Sequence, residues 1–350
     1  MIKNLQSLRF VFIILIVLFH INGKNYEVCG DCGISFFLML SGFVLSYAYG
    51  QQVLDGRFQT FLFIKKQLIK LYPLHLLMLV VIALLDARLG RYYEWWQLLP
   101  SIMMIQSWFP HDSFIHVANA SSWFLGTLLF GYLVFSWLIR IIYRSSWLQL
   151  AVGGVIFLIL YEWGVSFVPL QHVNNIVCLS PYLRLPDFCI GIILCRCWQS
   201  QKGVALAQIF QSWSVNRATL CELSSVAFVA LAFLLYNYLP SCVRCSSLFW
   251  LFLPPLLMVF VCGDSSEGLL TKLFHQPMLL LLGGITMEIY LTHNFVIRVF
   301  YNILHNFGLL DGDPSVIQAS INVPLIIVCA YIFHRWFTQP VQQKISFINK

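Results

Sequence analysis

Charge is what this sequence has least of: 10% of its 350 residues are Asp, Glu, Lys or Arg, where a soluble domain carries about 25%. Too few charged groups remain to clothe a water-facing globule, so a soluble fold is excluded. Intrinsic disorder is excluded with it, because a disordered chain combines low hydrophobicity with high charge. Also lacking are the motifs of soluble catalysis. No phosphate-binding loop, dinucleotide fingerprint, zinc-protease helix or nucleophile elbow occurs. No unit of about 20–50 residues repeats, and no Gly-, Ser- or Pro-rich linker divides the chain, which predicts one domain over residues 1–350.

What fills the space is apolar. Hydrophobic residues make up 59% of the chain, and 30 Phe, 15 Tyr and 11 Trp are spread along its whole length. The mean hydropathy of +0.80 therefore cannot come from one anchor on a soluble body. The bilayer is the solvent, and only structures that satisfy their own backbone groups can cross it. Apolar runs of about 20 residues fall at 5–22, 33–50, 71–89, 121–139, 147–164, 180–198, 221–239, 247–262, 277–300 and 316–336. The sequence thus predicts an all-α, polytopic bundle of about ten transmembrane helices. The Trp-rich stretch 95–109 is interrupted by Pro100 and followed by Pro110, and reads as an interfacial or re-entrant piece. No small-residue cleavage site follows the first run, so it is expected to stay in the protein as a span.

With both termini in the cytoplasm, fifteen Lys and Arg, from Lys3 to Lys350, fall on the inner side, against Lys24, Arg88, Arg91 and Arg244 outside. That bias follows the positive-inside rule and accounts for most of the net charge of +7 without invoking nucleic acid. Arg184 and Arg298 remain within spans.

An ionisable side chain near a span's centre costs about 2.5–3.5 kcal/mol on insertion scales, which makes each one a candidate site. The first span carries Arg9 and His20. Eleven residues are almost three whole turns, so both project from one face about 16 Å apart along the axis. That suits a long substrate gripped by its anionic end at Arg9 with its reactive end at His20; the competing reading is a headgroup anchor and a helix-end cap. Arg184 and Asp187 stand three apart, either a structural pair or part of a site. Tyr290 and His293 share a face at the same spacing, with Glu288 five residues before His293. An unperturbed histidine ionises near pH 6.5 (about 6.5), so His20 or His293 suits a general base. Of eleven cysteines, Cys29 and Cys32, and Cys242 and Cys245, form two outer CxxC pairs. Disulfides, free thiols and a shared Zn²⁺ all stay open for them; no metal is assigned to the candidate site.

Five strings, in order, carry a resemblance. They are "LQSLRFVFIILIVLFH" with Arg9 and His20, "GISFFLMLSGFVLSYAYG" with Ser41-Gly42-Phe43, "FLFIKKQLIKLYPLHLL" with Tyr72-Pro73, "SPYLRLPDFCIGIIL", and "LGGITMEIYLTHNFVI" with Tyr290-Leu291 and His293. Together they resemble the acyltransferase-3 family of integral membrane acyltransferases over nearly the whole chain. The resemblance implies O-acyl transfer, usually acetyl from acetyl-CoA, to hydroxyls of exported glycans, with no permanently bound cofactor. It implies a multi-pass protein of the bacterial inner membrane whose partners are acyl-CoA, a glycan or lipid-linked sugar, and membrane lipid. Arg9, Lys65, Lys66 and Lys70 would hold the CoA phosphates and His20 would act as base or covalent carrier. Ser41, Tyr290 and His293 come second, with Arg184 and Asp187.

Two departures stand out. The family's Arg-x-x-Arg before Tyr-Pro is replaced by Gln67 and Lys70 with Lys65 and Lys66 beside them, point charges in place of a planar fork. Leu128 stands where many members have Glu after a Trp-Ser-Leu. Trp95, Trp96, Trp108 and Trp123 are candidates for stacking on sugar rings. The alternatives are a transporter or flippase for a small anionic or glycolipid substrate, and a non-catalytic acyl-CoA binder. Against transport stand the missing internal repeat and the expectation of no paired, broken helices.

Overall fold

The computed structural model describes residues 2–306 and 316–348; Lys350 and the Lys24 side chain lie outside them. Among the described residues every regular element is helical. Eight helices are long and apolar enough to cross a membrane, and two bent pairs bring the total to as many as ten. These fall where the apolar runs predict them. In chain order the main helices are α1 (Lys3–Asn22), α2 (Glu27–Leu54), α3 (Thr60–Arg88), α4 (Trp95–Ile102), α5 (Trp123–Arg144), α6 (Trp147–Val165), α7 (Pro181–Gln199), α8 (Val215–Leu235), α9 (Ser247–Cys262), α10 (Pro277–Gly284), α11 (Thr286–Asn306) and α12 (Val316–Phe333).

The two bends correct the expectation of unbroken spans. Leu170–Cys178 meets α7 at 46°, and α10 meets the first 18 residues of α11, Thr286–Ile303, at 67°. The first break has a local cause: Pro181 stands at the start of α7, where a missing N–H costs nothing, whereas the second falls between Gly284 and Thr286, at the far end of α10 from Pro277. Gly283 lies so close to α1 that a Cβ there would come within 1.8 Å of the Gln6 carbonyl oxygen, so α10 can turn against α1 only without a side chain. At the other bend the Arg184 Nε donates to the Cys178 carbonyl at 2.8 Å, satisfying an acceptor that the broken ladder leaves free. Broken helices therefore no longer count against transport.

α1 is the axis of the bundle, flanked by α2, α9, α10, α11 and α12. Its N-terminus is pinned by Asn4, whose N–H donates to Asp264 Oδ1 at 2.7 Å and whose Nδ2 donates to the Phe260 carbonyl at 3.0 Å. The most extensive helix pair is α2 with α7. At its crossing a Cβ on Gly42 would stand 2.0 Å from the Phe188 carbonyl oxygen and one on Gly191 would stand 1.9 Å from that of Met39. Lipid tails are as apolar as side chains, so membrane helices associate through such close backbone approach rather than through the hydrophobic effect. α6 is the opposite case: residues 151–160 are all exposed, as on a helix that faces lipid.

The Trp-rich stretch does not span. α4 is followed by a turn at Met104, whose φ is +57°, and a short 3-10 helix at Gln106–Trp108 folds back against α5. The buried Gln106 Nε2 donates to Ser122 Oγ at 3.0 Å, tying this stretch to the start of α5.

Candidate active site

The inner end of the bundle here means the Arg9 end of α1, and the outer end its His20 end. Along α1, Arg9, Ile13 and Ile16 line an inner cavity of about 440 Å³. Ile16 and His20 line an outer cavity of about 190 Å³. Residues 9, 13, 16 and 20 are one face of a 3.6-residue helix, so the shared face expected from spacing faces both chambers. Ile16 and Tyr290 line both, and form the wall between them.

Arg9 shares the inner cavity with Ser41, Gln67, Lys70, Tyr132 and Glu288, while Leu128 adds an apolar wall. The Gln67 side chain is 7% exposed and its Nε2 has no hydrogen-bond partner. Glu288 is engaged by His334 Nδ1 at 2.8 Å. Lys65 and Lys66 are exposed and do not line this cavity; they lie a turn before Lys70 on α3. The inner chamber therefore offers cationic and amide donors, the groups that bind anionic oxygens.

At the outer chamber three chain segments meet. Ser121 Oγ lies 3.1 Å from His293 Nε2 and 3.5 Å from His20 Nε2. The two imidazole rings have centroids 4.7 Å apart. His293 Nδ1 is 2.6 Å from the Tyr290 carbonyl oxygen, which can only accept, so Nδ1 carries the hydrogen. Nε2 of the neutral ring is then an acceptor, and the Ser121 hydroxyl donates to it. Asn294 Nδ2 donates to Ser121 Oγ at 2.6 Å. A hydroxyl has one proton, so the longer contact from His20 is an Nε2–H donation, which leaves the His20 Nδ1 lone pair free.

The loop that presents Ser121 is held almost entirely by one face of α11. Tyr290 donates its hydroxyl to the Ser121 carbonyl, and Asn294 also reaches Asn119 Oδ1 at 3.3 Å. Arg298, one turn on, donates to the Ala118 carbonyl at 3.0 Å. Ala118 is buried with φ of +50°, a conformation that non-glycine residues rarely adopt and that these anchors hold in place. Arg298 NH1 also donates to both Asp86 oxygens at 2.7 Å, and the Tyr93 hydroxyl donates to Asp86 Oδ2 at 2.6 Å. Partial burial, and then the Asp86 carboxylate beside it, push the Tyr93 phenol above its usual range, so it remains a donor.

Arg184 and Asp187 are wholly buried and pair at 3.6 Å. Ser35 accepts from Arg184 NH1 at 3.0 Å, and Trp250 Nε1 donates to Asp187 Oδ1 at 3.0 Å. Neither residue lines either cavity; their links to the outer chamber are Asp31, which lines it and lies 3.8 Å from Arg184 NH2, and Cys178, which also lines it and whose carbonyl accepts from Arg184 Nε. All eleven cysteines are free. Cys178 lines the outer cavity, and the Cys245 thiol donates to the Cys242 carbonyl at 3.7 Å. Among the described residues no group of three or more His, Cys, Asp or Glu is placed to hold a metal, so the two CxxC pairs do not form a four-thiolate site. Of the four tryptophans, Trp123 lines the outer cavity, whereas Trp95 is 74% exposed and Trp108 donates its Nε1–H to the Gly126 carbonyl at 2.9 Å.

The profile of a family described as an acyltransferase domain matches residues 2–335. The chain belongs to the acyltransferase-3 family. The acyltransferase MdmB of Streptomyces mycarofaciens is similar to it, 23% identical over 296 residues that cover 79% of this chain and 70% of the relative. No solved structure matches significantly. Membership makes this chain an integral membrane acyltransferase.

Neither composition nor helical spacing singles out Ser121, Asn294 or Asp31. The one local signal was the polar run Asn119 to Ser122 immediately before an apolar span, and the Asn beside His293.

Proposed function

We propose that this family member is an O-acyltransferase that moves an acyl group, acetyl in the first instance, from cytoplasmic acyl-CoA to a hydroxyl of an exported glycan. The observation that supports it is the face of α1 on which Arg9 lines one cavity, His20 the other and Ile16 both. A donor whose anionic part stays at the inner side and whose thioester must reach the outer side fits two chambers joined end to end. The phosphates rest near Arg9 and Lys70, with Lys65 and Lys66 at the approach. The pantetheine arm passes Ile16 and Tyr290.

His20 takes the proton of the acceptor hydroxyl at its free Nδ1, the nitrogen that the Ser121 contact leaves unprotonated. His293 belongs to the same machinery through Ser121. Arg184 and Asp187 hold α7 against α2 and α9 and act on the site through Asp31 and Cys178, the two outer-cavity residues that Arg184 reaches. Ser41 contributes a hydroxyl to the donor cavity, and Trp123 an aromatic face to the acceptor cavity. The glycan acceptor and the inner-membrane location rest on the family resemblance; the two adjoining chambers support the acyl-CoA donor reading.

The test is to purify the full chain in nanodiscs, titrate acetyl-CoA, and follow release of free thiol with a mixture of exported glycans as acceptor. Arg9→Ala is expected to weaken binding by about tenfold or more, the order of one charge-assisted contact to phosphate. His20→Ala should keep binding but lose steady-state transfer to the glycan by about 100-fold or more, as for removal of a general base. Full acyl transfer by His20→Ala would overturn the assignment.

A further inference from the structure

We infer that Ser121 carries the acyl group covalently between the two half-reactions, an inference that rests on the acyl-CoA reading above. The geometry is that of an activated nucleophile: a hydroxyl within hydrogen-bond reach of a base, and the base oriented by a third group. Ser121 Oγ donates to His293 Nε2 at 3.1 Å, and the Tyr290 carbonyl fixes the His293 tautomer from 2.6 Å. The serine lies on the outer cavity, while its own carbonyl is bound by Tyr290, a residue of the wall between the chambers. It is thus the hydroxyl placed where a thioester passing Ile16 and Tyr290 would first arrive.

Two histidines against one serine are more than a single-step transfer requires. A two-step transfer uses both. In the first step Ser121 Oγ attacks the thioester carbonyl carbon while its proton passes to His293 Nε2. The C–S bond breaks, the sulfur takes that proton, and CoA leaves as the free thiol. The acyl group remains as an ester on Ser121. In the second step the acceptor hydroxyl loses its proton to His20 Nδ1 and attacks the ester carbonyl. The C–Oγ bond breaks, and the Ser121 oxygen recovers a proton from His20 Nε2–H, which faces it at 3.5 Å. Asn294 Nδ2, 2.6 Å from Ser121 Oγ, holds the oxygen in line and stabilises it as it leaves. No oxidant, metal or further reactant enters: thioester plus alcohol gives ester plus thiol.

A covalent carrier also separates the two substrates in space. The CoA thiol can leave by the inner cavity before the bulky acceptor occupies the outer one, so the chambers need never be open to each other with both substrates bound.

The experiment is to mix the full-length protein in nanodiscs with radiolabelled acetyl-CoA and no acceptor, quench rapidly in acid, and map the label by peptide mass spectrometry. The expected result is one acyl ester on Ser121, formed with thiol release in the same amount and discharged on addition of glycan. Ser121→Ala should lose label and cut transfer by about 100-fold or more. Ser121→Cys, which keeps a nucleophile of similar shape, should carry the label as a hydroxylamine-labile thioester and so reports even if the alanine variant folds poorly. Thiol release and transfer in the wild type with no ester on Ser121, or with the label on His20 instead, would overturn the carrier role while leaving the acyl-CoA reading intact. No thiol release from well-folded wild type under any acceptor would remove that reading, and the carrier with it.

Discussion

Gln67 occupies a position where the family resemblance has arginine, and its surroundings say what the exchange does. Its side chain is almost wholly buried on the inner cavity beside Arg9 and Lys70, and its Nε2 is without a partner. A buried unpaired donor costs the fold about 1–3 kcal/mol, so the amide is a liability unless a ligand accepts from it. Gln67→Leu is therefore expected to leave thermal stability unchanged or raise it, while raising the KM for acetyl-CoA severalfold with kcat little changed. Thermal unfolding and steady-state kinetics on the same preparation check both halves, and a drop in stability with unaltered KM would show that the amide serves packing instead. Leu128 follows the same logic in reverse. It stands on the wall of that cavity where many relatives have a carboxylate, and Glu288, from another helix, supplies the acidic group the chamber contains.

At the scale of helices, what the bundle demands is close approach. α2 and α7 cross with Gly42 over the backbone of Phe188 and Ile192, and Gly191 over that of Met39 and Phe43. Backbone cannot rotate aside as a side chain can, so a methyl group at either glycine must push the helices apart. Gly42→Ala and Gly191→Ala are each expected to destabilise by about 1–3 kcal/mol, the range for overpacking. The double variant should cost clearly less than the sum, because one separation relieves both clashes. Equilibrium unfolding in mixed detergent measures the cycle, and strict additivity would mean that the two glycines do not share a crossing. The same helices position chemistry: Ser35 on α2 receives Arg184 of α7, and Asp31, four residues earlier, lines the outer cavity.

At the scale of the whole molecule, the site depends on a tether between distant parts of the chain. Asp86 ends α3, Arg298 lies on α11, and the Ala118 carbonyl that Arg298 also binds belongs to the loop that carries Ser121. Asp86 is fully buried, so Arg298→Met strands a carboxylate with only the Tyr93 hydroxyl for company. Removing one partner of a buried pair costs about 3–5 kcal/mol, whereas replacing both by apolar groups is often neutral. Arg298→Met is thus expected to be strongly destabilised, and Asp86→Leu with Arg298→Met to recover stability but not acyl transfer, since the Ala118 anchor stays missing. Full activity in the double variant would show that the loop holds Ser121 without the tether.

Consecutive residues alone establish the solvent, the number and place of the spans, and the face of α1 that carries Arg9 and His20. Those follow from composition and from the helical period, which are properties of consecutive residues. The sequence also contained the resemblance that predicts acyl transfer. It did not determine where the helices break, because Gly283 and Gly284 inside an apolar run read alike in a straight span and a bent one until Gly283 is seen against Gln6. Nor could spacing tell that Arg184 and Asp187 face each other rather than a cavity, or that Lys65 and Lys66 lie outside the chamber that Lys70 enters. The site's central atom was least legible of all. Ser121 stands 101 residues from His20 and 172 from His293 in sequence, and a helical period reports nothing beyond its own helix. Only the packing of α1, α11 and the Ala118–Ser122 loop around one cavity puts a hydroxyl between two imidazoles, a juxtaposition that exists only once distant segments fold together.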